Sequence, residues 1–472
     1  MHRRSEHENV GWTRSKPAWI VGAACLSVGL FGSAPADAAE RPNIVLIMAD
    51  DLGRELLSSY GGTSYRTPNL DGLAREGMRF ENCYATPLCT PSRAMILTGR
   101  YSFRNYQAWG ELPRNQVTFA QLLKDAGYAT VFAGKWHLGG WDETPPLIST
   151  AGFDEHISFD AVKLLADSHE GRGNRYWGGT IIRNGEPVVL EGYGPDAYSD
   201  FVVDFMRRHR DGPFLAYYCM TLMHRPFHPT PDHPDAPGPG QRPPEEWLGS
   251  RGEADNFEAM LTYADRIVGK LLDTLDELEL SERTIVVFTS DNGTDNKGEA
   301  TTVRSAFAGQ RVRGGKYFPT ELGANVPLLA RWPGHIAAGA TSSSLVDLTD
   351  VLPTLCDVGG AELPAKYRFD GRSLRDAFRD ARRVHKPFIY TWGNFEHSSR
   401  QYKEPARHAD DWLHIVRGDR WKLYSDGRMF DVQGDFLETE PVDRSISPEA
   451  HDAGKLLETQ LRELRASPPA RW

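Results

Sequence analysis

The sequence is poor in cysteine, has no excess of positive charge and contains no low-complexity tract. Its formal net charge of −10 argues against a nucleic-acid binder that works by neutralising phosphates. A local cationic pocket for an anionic substrate is still compatible with an acidic chain. A membrane-spanning helix needs about 20 consecutive apolar residues, and no segment after residue 40 approaches that length. The composition is that of a globular protein, 40% hydrophobic and 25% charged over 472 residues, long enough for roughly two or three domains.

The first forty residues are expected to be an export leader and not part of the fold. Basic residues precede an apolar run at residues 18–32, and Ala36 and Ala38 provide small residues at the usual cleavage spacing. We therefore expect a signal peptide over residues 1–38 and an exported protein, periplasmic or secreted. A lipid anchor at Cys25 is a weaker alternative, because the preceding residues lack the leucine normally found before such a cysteine.

The scarcity of cysteine also bears on disulfides. Removal of the leader leaves four cysteines, which are Cys83, Cys89, Cys219 and Cys356. If Cys89 has a chemical role, three cysteines remain. Any disulfide between two of them would leave the third as a free thiol. Isolated buried thiols are the simplest expectation for Cys83, Cys219 and Cys356.

Apolar strands alternate with amphipathic helices through the first two-thirds of the chain. Buried strands are predicted at residues 43–49, 129–133, 213–220, 284–289 and 326–330, and helices at residues 70–77, 119–126, 198–209, 258–280 and 345–355. This alternation predicts an α/β fold with a largely parallel sheet covered on both faces. Residues 141–194 read as an irregular rim over the site, with a hairpin at residues 183–186.

A different pattern follows residue 383. Short strands at residues 388–392, 413–417, 421–424 and 429–432 and a helix at residues 450–464 indicate a small α+β unit. We expect a catalytic domain over residues 41–383 and a C-terminal α+β subdomain over residues 384–472.

Polar residues follow four of the predicted strands closely. They are Asp50 and Asp51, Lys135 and His137, His224, and Asp291 and Asn292. In parallel sheets, sites form beyond the carboxyl ends of the strands. Each group alone has an innocent explanation, such as a turn or a helix cap, but four together favour one shared pocket.

The acidic residues of this set predict a metal site. Asp50 and Asp51 come straight after a buried strand, where two carboxylates are costly unless something neutralises them. Three carboxylates and the amide oxygen of Asn292 suit a hard divalent cation. Ca²⁺ fits better than Zn²⁺, because the sequence has no cluster of His and Cys ligands.

Cys89 lies in a loop that runs into a short predicted helix. Pro91 fits the first helical turn and Gly99 the end of the helix, so Cys89 sits where the helix dipole favours negative charge. Arg93, Lys135 and Lys316 would supply positive charge for a tetrahedral oxyanion. His137 and His224 can transfer protons near neutral pH. Together these residues indicate hydrolysis of a sulfate or phosphate ester.

The run Cys-Thr-Pro-Ser-Arg at residues 89–93, followed by Leu-Thr-Gly-Arg at residues 97–100, resembles the signature of the sulfatase family. These arylsulfatase-like members of the alkaline phosphatase superfamily depend on formylglycine, made by oxidation of that cysteine. The companion motifs stand in family order, at Asp50-Asp51, Gly134-Lys135-Trp136-His137, His224, Asp291-Asn292-Gly293 and Gly315-Lys316. The resemblance implies an alkaline-phosphatase-like α/β fold, with a large mixed, mostly parallel sheet flanked by helices. It also implies a small C-terminal α+β domain with an antiparallel sheet.

The resemblance further implies a role for each site residue. Cys89, converted by a formylglycine-generating enzyme and hydrated to a gem-diol, supplies the hydroxyl that attacks sulfur. One Ca²⁺ is held by Asp50, Asp51, Asp291 and Asn292 and also touches the diol at residue 89. Arg93 and Lys135 stabilise the diol and the developing charge, and Lys316 binds sulfate. His224 protonates the leaving alcohol, and His137 helps the second hydroxyl to expel sulfate.

The expected function is therefore hydrolysis of an organic sulfate ester, either an aryl or a carbohydrate sulfate, with release of sulfate and alcohol. Two alternatives stay open: a phosphonate or phosphate ester hydrolase of the same superfamily, and a non-catalytic binder of sulfated glycans in which Cys89 stays a thiol. Arg54 and the run Tyr317-Phe318-Pro319 are bulkier than usual after their motifs and are candidates for narrowing the substrate mouth. His228 is expected on the surface, with a contact to the substrate as the alternative.

Overall fold

The computed structural model describes residues 41–105, 109–140, 145–159, 175–238, 241, 243–248, 252–393 and 413–466. The expected signal peptide, Cys25 and part of the expected rim at residues 141–194 lie outside these residues. The described residues belong to one compact unit that spans Arg41 to Trp472. A boundary at residue 383 remains a prediction.

A ten-stranded sheet forms the centre of this unit. Its strands are β1 (Asn43–Ala49), β2 (Met78–Tyr84), β3 (Ala129–Lys135), β4 (Glu155–Phe159), β5 (Thr180–Arg183), β6 (Glu186–Val189), β7 (Phe214–Cys219), β8 (Thr284–Ser290), β11 (Asn325–Arg331) and β12 (Ala340–Asp347). Their order is β12-β2-β11-β8-β1-β7-β3-β4-β5-β6. All run in one direction except β5 and β11, which pair antiparallel to their neighbours. The sheet is therefore mixed and mostly parallel, as predicted.

Strand β1 shows why the centre of the sheet is buried on both faces. All seven of its residues are buried, and successive side chains of a strand point to opposite faces. Ile44 and Leu46 pack into one hydrophobic cluster, and Val45 and Ile47 pack into another. An unbroken apolar run therefore serves two cores, one on each side of the sheet.

Helices supply the rest of both cores. The α-helices are α1 (Pro68–Glu76), α2 (Cys89–Thr98), α3 (Phe119–Asp125), α4 (Leu147–Thr150), α5 (Gly194–Arg208), α6 (Glu245–Leu248), α7 (Phe257–Glu277), α8 (Glu321–Ala324), α9 (Val351–Gly359), α10 (Arg375–Arg379) and α11 (Pro448–Ala466). Helices α2, α3, α9, α10 and α11 contribute to the core that contains Leu46. Helices α1, α5 and α7 contribute to the core that contains Ile47. The central sheet is thus covered on both faces.

Single-turn 3₁₀ helices mark several connections. They lie at Arg54–Leu56, Ser58–Tyr60, Ser102–Arg104, Ala254–Asn256, Ser281–Arg283, Gly298–Thr302 and Leu348–Asp350. Strands β9 (Ser305–Phe307) and β10 (Gln310–Val312) form a separate small hairpin. None of the helices in the described part of the chain is long and apolar enough to cross a membrane.

The C-terminal region forms a second, four-stranded sheet. Strands β13 (Ile389–Gly393), β14 (Leu413–Arg417), β15 (Trp421–Tyr424) and β16 (Met429–Asp431) are consecutive and antiparallel. Leu457 and Leu461 of α11 lie in the same hydrophobic cluster as Val416 and Leu423 of this sheet. The small antiparallel sheet with its terminal helix agrees with the sequence prediction.

Two local predictions had different outcomes. The hairpin at residues 183–186 is confirmed, because β5 and β6 are joined through Asn184 and Gly185, which have φ angles of 49° and 91°. The helix predicted at residues 345–355 is wrong in its first part, since Leu345 and Val346 belong to β12 and pair with β2. The side chain of Asp347 then accepts a hydrogen bond from the Thr349 backbone N–H and starts a 3₁₀ turn. An apolar run that spans a strand, a cap and a helix start has no single periodicity, so the sequence pattern was ambiguous there.

Candidate active site

The four groups of polar residues predicted to share a pocket follow neighbouring strands of the central sheet. Strands β8, β1, β7 and β3 are adjacent in that order. Asp291 follows β8, Asp50 and Asp51 follow β1, His224 comes shortly after β7, and Lys135 ends β3. The Asp51 backbone N–H donates to Oδ1 of Asp291 at 3.1 Å, which joins two of these loops directly.

Asp50 and Asp51 are completely buried, and each accepts hydrogen bonds from a lysine ammonium group. Nζ of Lys135 donates to both carboxylate oxygens of Asp50 at 2.7 Å. Nζ of Lys316, which comes from the loop before α8, donates to Oδ2 of Asp51 at 2.6 Å. Burial raises the pKa of both aspartates, and the lysines offset this effect only in part. The carboxylates therefore lie where additional positive charge would stabilise them.

Arg93 connects helix α2 to the other loops of the site. Its Nε and Nη2 donate to Oδ2 of Asp291 at 3.1 and 2.7 Å, and its Nη1 donates to the carbonyl oxygen of Lys135 at 2.8 Å. Burial opposes its charged form, but Asp291 and other anionic neighbours outweigh burial and hold the pKa of Arg93 well above its usual value. This fully paired guanidinium fixes the distance between α2 and the ends of β8 and β3.

Cys89 is the first residue of α2 and is 5% exposed. Hydrogen bonds between Thr86 and Ser92 hold the loop before it, because the Thr86 backbone N–H donates to Oγ of Ser92 at 3.0 Å and this hydroxyl donates back to the Thr86 carbonyl. Burial raises the pKa of the Cys89 thiol, although Lys135 and Lys316 act in the opposite direction. An unmodified thiol here would be neutral and a poor nucleophile.

The two histidines predicted for proton transfer both lie in the site region. Nδ1 of His137 is 3.4 Å from Oγ1 of Thr90, while its Nε2 is buried without a hydrogen-bond partner in the described part of the chain. Nδ1 of His224 donates to the carbonyl oxygen of Arg225 at 2.6 Å, which leaves its Nε2 toward Asp51, 3.9 Å from Oδ2. Burial first, and nearby cations second, hold the pKa of both histidines well below the usual value.

The oxygen donors of the site fit a divalent cation. The potential ligand atoms of Asp50, Asp51, Cys89 and His224 all lie within 4.8 Å of one another. Oδ1 of Asn292 is buried and has no hydrogen-bond partner among the described residues, while Nδ2 of the same side chain donates to Asp51 at 2.8 Å. Buried oxygens that lack a donor are ligands of the kind that Ca²⁺ takes. The structure groups His224 with these atoms, whereas the sequence assigned it only a proton-transfer role.

The expectations for Arg54, Tyr317 and His228 had different outcomes. Arg54 lies in a different cluster, where Nη1 donates to the Glu81 carbonyl at 3.2 Å and Nη2 is 3.7 Å from Glu321, so none of its described contacts narrows the site. Tyr317 stays close to the site, because Nζ of Lys316 is 5.4 Å from the centre of its ring. The surface position expected for His228 is wrong, since it is 1% exposed. It follows Pro226 and Phe227 in a segment without strand or helix periodicity, so no sequence pattern indicated its burial.

Cys83, Cys89, Cys219 and Cys356 are all buried and free, which confirms the expectation of isolated thiols. Besides Asp295, whose Oδ2 is 3.9 Å from Nζ of Lys316, sequence reasoning missed a cation of the site, Arg175, whose Nη1 lies 3.8 Å from Oδ2 of Asp50. It stands in an irregular, glycine-rich segment without strand or helix periodicity, so no pattern tied it to the other loops.

Two family models match this chain. The family model described as Sulfatase matches residues 42–361, and the model described as N-sulphoglucosamine sulphohydrolase, C-terminal, matches residues 315–467. Arylsulfatase D from Homo sapiens is 30% identical over 486 residues, covering 84% of this chain and 77% of that protein. N-acetylgalactosamine-6-sulfatase from Homo sapiens is 31% identical over 393 residues, covering 77% of this chain and 70% of that protein.

A solved structure confirms the fold. The structure of BT4656 in complex with its substrate D-glucosamine-2-N,6-O-disulfate has a TM-score of 0.70 with this chain at 24% sequence identity. The alignment covers 92% of this chain and 100% of the BT4656 chain. This likeness over most of both chains shows the alkaline-phosphatase-like fold that the sequence predicts.

Proposed function

Because the chain belongs to the sulfatase family and is a sulfate ester hydrolase, we propose that its nucleophile is a formylglycine made from Cys89 and that its cofactor is one Ca²⁺. The observation that carries this proposal is the position of Cys89, within 4.8 Å of the ligand atoms of Asp50, Asp51 and His224. A neutral, buried thiol would do little there. A hydrated aldehyde would supply a hydroxyl nucleophile at the same point and a second hydroxyl for release of sulfate.

The proposed metal site consists of Asp50, Asp51, Asp291, Asn292 and residue 89. Its support is the unpartnered Oδ1 of Asn292 together with the buried carboxylates, whose pKa values are raised by burial for Asp50 and Asp51. When bound, Ca²⁺ would supply positive charge that polarises a sulfate oxygen and stabilises an ionised nucleophile.

Lys135, Lys316 and Arg93 provide the remaining positive charge of the site. In the structure the two ammonium groups neutralise Asp50 and Asp51. We propose that they turn part of their hydrogen-bonding capacity to the sulfate group when a cation neutralises these carboxylates. Arg93 stays paired with Asp291 and holds the start of α2 in place, while its charge stabilises the transition state.

The proton transfers fall to His224 and His137. Nε2 of His224 is available to the substrate because Nδ1 is engaged with the Arg225 carbonyl. We propose that the negative charge of the bound sulfate ester favours protonation of this nitrogen, which then delivers the proton to the leaving alcohol oxygen as the S–O bond breaks. Nε2 of His137, which has no hydrogen-bond partner among the described residues, accepts a proton from the second hydroxyl as the C–O bond to sulfate breaks and the aldehyde forms again. The attacking hydroxyl gives its proton to solvent, His224 regains a proton from solvent and His137 returns one. Water then rehydrates the aldehyde, so that one cycle converts ester and water into alcohol, sulfate and one proton.

The proposed substrate is a sulfated sugar, with an aryl sulfate as a convenient small substitute. The names of two matched proteins support a sugar: N-acetylgalactosamine-6-sulfatase, and BT4656 with its glucosamine disulfate substrate. We also propose export of the chain after removal of residues 1–38 and maturation by a formylglycine-generating enzyme.

Turnover of matched substrates tests the proposal. Purified protein should release sulfate from an aryl sulfate and from glucosamine and galactosamine 6-sulfates, and a chelator should abolish the release until Ca²⁺ is restored. A higher kcat/KM for an aryl phosphonate monoester than for the aryl sulfate would instead identify a phosphonate hydrolase. Binding of the sugars without any turnover, with residue 89 still a thiol, would identify a binding protein.

A further inference from the structure

Arg175 is a buried cation of the site, and two of its three nitrogens have no hydrogen-bond acceptor among the residues that the structure describes. The residue is 7% exposed, and its Nε and Nη1 are buried without a hydrogen-bond partner in the described residues. Its closest carboxylate oxygen, Oδ2 of Asp50, is 3.8 Å from Nη1, too far for a hydrogen bond. Buried donors without acceptors cost free energy, so a ligand that supplies acceptors would stabilise this arrangement.

The guanidinium of Arg175 is held in place by an aromatic ring. Its central carbon is 4.9 Å from the centre of the Phe159 ring. Phe159 ends β4 and is paired in register with Lys135 of β3. The guanidinium therefore lies beside the strand end that carries an ammonium group of the site.

The backbone around Arg175 is also held by contacts with neighbouring elements. The hydroxyl of the next residue, Tyr176, donates to the Thr221 carbonyl at 2.8 Å and also contacts the His224 carbonyl. On the other side, a Cβ added to Gly194 would lie 2.3 Å from the Arg175 carbonyl oxygen, so helix α5 packs directly on this backbone. These contacts bind Arg175 to the loop that carries His224.

Arg175 lies on the side of the site where the proton carriers are. Burial is the largest cause of the lowered pKa of His224, and the charge of Arg175 is the second largest. The same charge contributes to the lowered pKa of His137. A planar guanidinium matches two oxygens of a tetrahedral oxyanion. Resting on the proposed function, we propose that Arg175 is a substrate-binding residue whose Nη1, the nitrogen nearest to Asp50, donates to a sulfate oxygen of the ester.

Inorganic sulfate is the probe for this inference. Calorimetry in saturating Ca²⁺ measures its dissociation constant, and sulfate inhibition and KM for an aryl sulfate are measured on the same protein. Arg175→Gln should weaken sulfate binding about 10- to 100-fold, the loss expected when charge-assisted hydrogen bonds are removed. Arg175→Lys should restore part of the affinity, because it keeps the charge without the fork. Thermal unfolding of both variants checks that they fold.

Arg183→Gln is the matched control. Arg183 also stacks on a phenylalanine, with its central carbon 5.3 Å from the Phe201 ring, but it is exposed. Its replacement should leave sulfate affinity unchanged.

Three results would separate the alternatives. Unchanged sulfate affinity in Arg175→Gln, or a wild type that binds no sulfate, would overturn the inference. Altered Ca²⁺ affinity with unchanged sulfate affinity would also overturn it and would show that Arg175 only neutralises Asp50. Sulfate binding that depends on Arg175 in a protein without turnover would refute the proposed function and leave the inference intact.

Discussion

At the scale of single residues, burial decides which chemistry position 89 can perform. The Cys89 thiol lies 5% exposed among carboxylates, and burial raises its pKa. A thiolate would therefore be scarce at neutral pH. The same surroundings suit an uncharged aldehyde, whose hydrate becomes a nucleophile only when nearby cations stabilise the charge it develops.

Cys89→Ala should abolish turnover and leave the fold intact. The substitution removes the nucleophile, so kcat should fall by at least about 1,000-fold. It deletes only one sulfur atom from the start of α2, and unfolding in urea should stay cooperative. Non-cooperative unfolding of this variant would show that Cys89 is structural, and retained turnover would exclude it as nucleophile.

Asp291→Asn should weaken calcium binding by at least about tenfold, a loss typical even of residues that only support a metal ligand. The variant keeps the shape of the side chain but removes the charge that pairs with Arg93 at 2.7 Å. Calorimetric titration with Ca²⁺ measures the effect. Asp200→Asn, on the exposed side of α5 and paired with Lys270, is the control. Equal calcium affinity in wild type and Asp291→Asn would remove Asp291 from the metal site.

At the scale of elements, the site depends on where strands and helices end. The apolar runs of β1, β7 and β8 were predictable from sequence, because a strand buried on both faces leaves an unbroken apolar signal. The polar residues after them were therefore predictable as one group. The place of Arg175 in the site and the burial of His228 were not predictable. Both residues lie in irregular segments, whose position depends on contacts of Tyr176 and of other residues far apart in the sequence.

Helix α2 ends at Thr98, and the next residue, Gly99, has a φ of 65° and donates its N–H to the Met95 carbonyl. A Cβ there would lie 3.1 Å from the Phe369 ring and 3.2 Å from Leu352. Gly99→Ala should lower the free energy of unfolding by more than about 1–2 kcal/mol, the cost of the left-handed backbone alone.

Gly334→Ala is the matched control for that measurement. Gly334 has a φ of 74° and nothing within 4 Å of an added Cβ, so it reports the backbone cost without the contacts. Urea unfolding of both variants gives the difference. Equal losses would show that the contacts at Gly99 relax without cost.

At the scale of the whole molecule, a buried charge cluster joins the central region to the C-terminal sheet. Glu321 of α8 is 3.4 Å from Nζ of Lys422 on β15 and 3.7 Å from Nε of Arg417 on β14. Burial opposes the charged carboxylate, but Lys422, Arg417 and Arg54 outweigh burial and hold the pKa of Glu321 at about 2. The site loop that carries Lys316 leads directly into this helix, so the cluster also supports the site.

This cluster predicts how stability depends on pH. The pKa of Glu321 is lower in the folded protein than its ordinary value of 4.5, so its stabilising effect is complete above about pH 4.5 and is lost as the pH falls toward 2. The shift corresponds to roughly 3 kcal/mol. Glu321→Gln should lower stability at pH 7 and make the loss of stability at acid pH less steep. The loss should be smaller than this shift, because the substitution also removes the charge that raises the pKa of Glu438. Urea midpoints measured from pH 2.5 to 7 test this, and parallel curves for both proteins would contradict it.

The mass of one tryptic peptide tests the identity of the nucleophile most directly. Trypsin releases residues 80–93 as a single peptide that contains both Cys83 and Cys89. After alkylation of thiols, the aldehyde form carries one alkyl group, on Cys83, and has lost a sulfur and two hydrogens for one oxygen at residue 89. We predict that the fraction of this form rises in proportion to specific sulfatase activity across preparations. Full activity in protein whose peptide carries two alkyl groups throughout would contradict the proposed chemistry.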